Sequence, residues 1–125
     1  MATADAGGGV PGLVPLSFDW DGDDVIVVTP VGSPCGHNLR ETGRARLAFG
    51  EFRDVVMVDA SAREVATDDL TEEQWQRYIV RCDWDPRTER PDYAVYLLRP
   101  ERIQAWREAN EIPGRTLMRD GVWLG

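Results

Sequence analysis

Ser33, His37 and Asn38 lie within six residues of one another in SPCGHNLRETG, residues 33–43, and their types and spacing suggest a place for an anion. Ser33 has the side chain of an N-cap, Pro34 suits a first helical position that needs no amide donor, and Gly43 suits a left-handed stop. The first turn of a helix carries free backbone N–H groups and the positive end of the helix dipole, which together favour an anion such as a phosphate. His37 is the one histidine of the chain. Its ring can donate to that anion, and brings a full charge only when protonated; the alternative is a ring that caps or packs at the surface. Arg40, Arg44 and Arg46 follow closely, either as cations for the same anion or as a solvated basic edge. Cys35 sits inside the helix start, where the dipole favours thiolate. No base partner is apparent, so it is read as a small residue.

Other chemistries find less material. All 14 basic residues are arginine, which removes Schiff-base chemistry on a side-chain amine. Cys35 and Cys82 are far apart, and with a single histidine they make no zinc set, so no metal is expected. No acid–base pair stands out, and the catalytic residues stay unassigned. A net charge of −8 argues against an extended nucleic-acid surface, which needs clustered positive charge. No apolar run reaches the length of a membrane span and no signal-peptide pattern is visible. The expectation is a soluble, cytoplasmic protein with neither a nucleic-acid nor a membrane partner.

The elements that must position these residues follow from the apolar periods. With 125 residues, 42% of them hydrophobic, one domain over residues 1–125 can bury a core of its own. Residues 1–12 are either a flexible start or a first strand with a glycine turn. In LVPLSFDW, residues 13–20, period two puts Val14, Leu16, Phe18 and Trp20 on one face, and Pro15 places that strand near an edge. Asp21-Gly22 signals a two-residue hairpin into a strand over residues 24–29 that is apolar on both faces. Ala45, Leu47 and Phe49 alternate with Arg44, Arg46 and Ala48 in a half-buried strand, and a buried strand follows from residue 54. Thr71-x-x-Gln74 is a capping box opening the main helix, whose stripe of Trp75, Tyr78, Ile79 and Cys82 faces the core. A polar loop covers residues 83–92. YAVYLLRP is a strand, RIQAWRE a further strand or a strand running into a turn, and Asp120-Gly121 a second hairpin signal. The fold class is mostly β (α+β): an antiparallel barrel or sandwich of about six or seven strands with one main helix and short helical turns. Apolar faces at Val25, Val27, Val56 and Val58 would need cover from both sides, which predicts a homodimer.

The ordered set Pro15-Leu16-Ser17-Phe18, Asp21-Gly22, Thr29-Pro30, Ser33, Asn38-Leu39-Arg40 and Gly43 resembles the pyridoxamine 5′-phosphate oxidase-like family of flavin-binding split β-barrels. The likeness continues into RPERIQAWRE. The resemblance implies a dimer with cofactor sites at its interface, holding FMN or the deazaflavin coenzyme F-420, with hydride transfer to or from a small-molecule substrate. It places Val14, Pro15, Leu16 and Ser17 along the cofactor ring, Thr29 and Pro30 beside them, and Ser33, His37 and Asn38 at the phosphate. Arg44 is carried as a charge for that phosphate, and Trp106 as an aromatic that either stacks on the cofactor or fills the barrel. His37 departs from the arginine or lysine usual there. The C-terminal arginine–histidine pair of true pyridoxamine-phosphate oxidases is missing, so that activity is not expected. The alternative is a non-catalytic cofactor- or ligand-binding dimer, a flavin carrier or a haem-binding relative.

Overall fold

The computed structural model describes residues 1–89 and 92–125. The strands are β1 Ala2–Thr3, β2 Gly12–Leu13, β3 Phe18–Trp20, β4 Val25–Pro30, β5 Arg44–Glu51, β6 Asp54–Val65, β7 Tyr93–Trp106, β8 Thr116–Arg119 and β9 Val122–Trp123; the helices are α1 Pro34–Thr42 and α2 Glu72–Cys82. All strands join one antiparallel sheet in the order β2-β1-β5-β6-β7-β4-β3, with the β8–β9 hairpin on the far half of β7. The sheet does not close. β5 pairs with β1 only at Arg46, so among the described residues Leu47–Glu51 have no strand on that side. The result is a split barrel of α+β class.

Two apolar clusters hold the sheet, one on each face of β4. Val25, Val27, Leu39, Leu47, Val58 and Tyr96 fill the barrel interior. Ile26, Val28, Trp75, Tyr78, Val95 and Leu97 form the second cluster beneath α2. Period two along β4 explains the division, because successive side chains point to opposite faces. The expected both-sided apolar strand is therefore covered within one chain. Val25, Val27 and Val58 are buried and Val56 packs on the same interior, so the need for a second copy does not arise from these residues as the sequence suggested.

The helices begin and end as their sequences dictate. Ser33 Oγ accepts from the Gly36 N–H at 3.1 Å, Pro34 occupies the first turn, and Gly43 stops α1 with φ +63°. Thr71 and Gln74 close a reciprocal capping box on α2. Trp75 and Tyr78 are buried, while Ile79 and Cys82 at the end of the stripe are half-buried.

Three expectations are corrected. The segment 13–20 is not one strand: β2 stops at Leu13 and β3 starts at Phe18, with Asp19 buried under α2 and Trp20 exposed at the rim. Pro15 offers no N–H to a ladder, and α2 covers the face of β3 that alternation assigned to solvent. The β3–β4 loop is Asp21–Asp24 rather than two residues, closed by the Asp21 carboxylate accepting from the Asp23 and Asp24 N–H groups at 2.8 and 2.7 Å. YAVYLLRP and RIQAW form the single strand β7. It passes Pro100 because Glu101 is an extra residue between the Ala60–Pro100 and Asp59–Arg102 pairs, a bulge that bends the strand from β4 toward β8. Among the described residues the strands number nine, six of three or more residues, as expected, and three two-residue segments. The Asp120-Gly121 turn forms as expected, both residues having positive φ. Of the polar loop 83–92, residues 90 and 91 lie outside the described residues.

Candidate functional site at the barrel seam

The opening beside β5 is lined from three directions. Pro15 and Leu16 come from the unpaired segment before β3, Phe18, Val25 and Val27 from the β3–β4 hairpin, and Leu47, Ala48 and Phe49 from the free side of β5. Together with Met1 they surround an apolar cavity of about 230 Å³. Phe18 and Phe49, both in its lining, meet edge to face at 4.8 Å. Because β5 is unpaired here and Pro15 breaks the preceding strand, the barrel wall parts and the cavity opens outward. Val14 and Leu16 are half-buried and Pro15 and Ser17 exposed along this segment.

The helix start lies at the end of β4. Thr29 Oγ1 is 3.0 Å from Ser33 Oγ, and Cys35 Sγ lies 3.3 and 3.4 Å from these two hydroxyls. This triangle, with Thr29 and Cys35 buried and Ser33 half-buried, joins three residues singled out in the sequence, and the Pro30 carbonyl accepts from the Ser33 N–H at 3.0 Å. The other anion candidates turn away from it. His37 is exposed, its Nε2 3.4 Å from Glu41 Oε1. Asn38 is 7% exposed and donates its amide to Thr3 Oγ1 of β1 at 3.1 Å. Arg40 donates to the Tyr96 hydroxyl and to the Val31 carbonyl, both at 2.7 Å. Burial pushes the Tyr96 phenol up, and the nearby Glu64 carboxylate adds to that against Arg40. Arg44 pairs with Glu101 at 3.2 Å on the outer surface.

Trp106 stands elsewhere, on the outer face of the sheet. Cross-strand register sets Val55 against Trp106, Met57 against Gln104 and Asp59 against Arg102, with Arg46 of β5 on the far side of Asp59. Arg115 lies over the Trp106 ring at 5.1 Å. Asp59 pairs with both Arg46 and Arg102. Sequence reasoning missed Asp59, Arg102, Gln104 and Arg115. Period two showed which residues share a strand face, but only the register shows which strands lie side by side.

The walls of the seam are aliphatic and aromatic, and one edge is β5 backbone with no strand partner beyond Arg46. Of the residues expected at the phosphate, Ser33 caps its own helix, His37 lies beside a carboxylate, and Asn38 donates to the N-terminal strand. Among the described residues no group of three or more His, Cys, Asp or Glu could hold a metal ion. No helix among them is long and apolar enough to cross a membrane.

A sheet of this order that stays open beside β5, with its core inside and a capped helix at the end of β4, is a split barrel. The chain belongs to the pyridoxamine 5′-phosphate oxidase family, whose sequence model matches residues 1–107. Among solved structures, a haem-binding protein from Mycobacterium smegmatis superposes with a TM-score of 0.72 at 17% identity, covering 96% of this chain and 51% of that one. A Listeria innocua protein of pyridoxamine 5′-phosphate oxidase type gives 0.68 at 15% identity, covering 86% of each chain. An F420 reductase gives 0.65 at 17%, covering 82% of this chain and 84% of that one. At these identities the likeness is one of fold. No curated protein matches the chain.

Proposed function

We propose that this protein is a flavin-type oxidoreductase of its family, binding FMN or coenzyme F-420 with the ring across the seam and exchanging hydride with a small substrate. The observation that carries the reading is the seam itself, an outward-opening apolar cavity lined by Pro15, Leu16, Val25, Val27, Leu47 and Phe49. When bound, the ring supplies the redox chemistry; the chain orients it and keeps water from one face. The family's F420 reductase structure supports the deazaflavin. In this reading Ser33, His37 and Asn38 face the phosphate, with the Gly36 N–H, Glu41 and Thr3 as their present neighbours. The protein is proposed to act as a homodimer.

A second reading is a ligand-binding dimer without turnover. It is favoured by the self-satisfied helix start and by the haem-binding structural neighbour. Titrating the protein with FMN and with F-420 in parallel, read by fluorescence, tests both. Saturable binding followed by reduction with a defined donor supports the oxidoreductase; binding without reduction supports the second reading. Failure to bind either cofactor removes the first.

A further inference from the structure

We infer that the outer face of β5–β6–β7 carries a binding site for a small aromatic carboxylate, apart from the seam. Its basis is a cavity of about 220 Å³ lined by Arg46, Met57, Asp59, Arg102, Gln104 and Trp106. None of these six residues lines the seam cavity. Period two explains the separation. Leu47 and Val58 are buried in the barrel, while their neighbours Arg46, Met57 and Asp59 fall on the opposite face of the sheet.

Cross-strand register gives the cavity a cationic end and an apolar end. Arg46, Asp59 and Arg102 form one row across β5, β6 and β7, Met57 and Gln104 stand in the next, and Trp106 follows one step further along β7. Asp59 takes Arg46 Nε at 2.5 Å on one oxygen and has Arg102 Nη1 4.0 Å from the other. One carboxylate thus faces two guanidinium groups, and the row keeps a positive excess within a chain of net charge −8. Gln104 holds the second fork in place. Its amide oxygen, in the orientation that satisfies its neighbours, accepts from Arg102 Nη2 at 3.0 Å and from Arg115 Nε at 3.2 Å. Arg115 in turn lies over the Trp106 ring at 5.1 Å, which fixes the indole beside the row.

These features select the ligand. A planar guanidinium fork pairs with a carboxylate through parallel N–H donors, and each arginine has more donors than Asp59 and Gln104 engage. A neutral ligand would leave the positive excess of the row unanswered. Met57 and Trp106 offer a polarisable, apolar wall to a flat body. Volume sets its size: a cavity of about 150 Å³ holds a benzene ring, so the 220 Å³ here suits one ring with one carboxylate rather than the three fused rings of a flavin.

The test uses the full chain, labelled with nitrogen-15, and benzoate as the probe. The indole N–H resonance of Trp106, identified by its loss in Trp106→Phe, should shift saturably with a dissociation constant of about 1 mM or below. Benzamide has the same ring and no charge, and should bind about tenfold more weakly, the scale of a charge-assisted pair. Arg46→Gln and Arg102→Gln should each weaken benzoate by about tenfold while the remaining resonances stay in place. Val80→Ala, at an exposed position on α2, should leave the titration unchanged. Absence of a saturable shift, equal affinity for benzamide, or wild-type affinity in both arginine variants overturns the inference. Displacement of benzoate by FMN also overturns it, because this face would then belong to the cofactor; a benzoate titration indifferent to FMN supports a separate site.

Discussion

The α-carbon of Gly50 faces the carbonyl oxygen of Asp54 so closely that a Cβ there would fall far inside van der Waals contact. With φ at +99°, the position is closed to a side chain by both space and backbone conformation. Gly50→Ala should cost about 2 kcal/mol or more through strain and overpacking. Urea denaturation measures it, and an unchanged midpoint would show that the hairpin relaxes freely.

Trp75 tests whether α2 is structural. Its ring is 2% exposed, its indole N–H donates to the Thr67 carbonyl at 3.0 Å, and Arg87 lies over its face at 5.2 Å. Trp75→Ala should lower stability by about 3–5 kcal/mol. Because Trp75 packs on the face of β4 opposite the seam, cofactor affinity of the folded fraction should not change. A variant that keeps its melting temperature but loses affinity would reverse this assignment.

Cys82 should be a sluggish thiol. Burial pushes its pKa up; hydrogen bonding with Tyr78 opposes this, the Asp19 carboxylate adds to it, and Arg81 opposes it again. A raised folded pKa means a contribution to stability that is present below the unfolded value, about 8.5, and is lost as pH rises through the folded one. Alkylation by iodoacetamide at mildly alkaline pH should be slower in the folded protein than in urea, and Cys82→Ala should flatten the alkaline loss of stability. Equal alkylation rates would contradict the assignment.

Glu41 bears on the anion. It sits 3.4 Å from His37, where its charge would repel a phosphate arriving at the helix start. Glu41→Gln should tighten FMN binding by up to about fivefold, the scale of an exposed charge contact. His37→Arg should act in the same direction. Parallel titrations decide: affinities equal to wild type in both variants would place the phosphate away from α1.

What the sequence determined by itself was local and periodic. Ser33, Pro34 and Gly43 fixed α1, Thr71 and Gln74 opened α2, and Asp120-Gly121 made its turn, because caps and turns are settled by backbone groups within a few residues. Period two exposed the two-faced β4, and an ordered set of motifs pointed to the family. Tertiary structure decided what depends on distant partners. Asn38 lies near Ser33 in sequence, yet it is spent on Thr3, because β1 returns over α1. Asp19 is buried because α2 covers β3, and β7 runs on past Pro100 because the bulge at Glu101 restores its pairing. The seam exists because β5 pairs with β1 at one residue only. Likewise Trp106 joins Arg115, Gln104 and the Arg46–Asp59–Arg102 row through cross-strand register, which no single strand carries in its own residues.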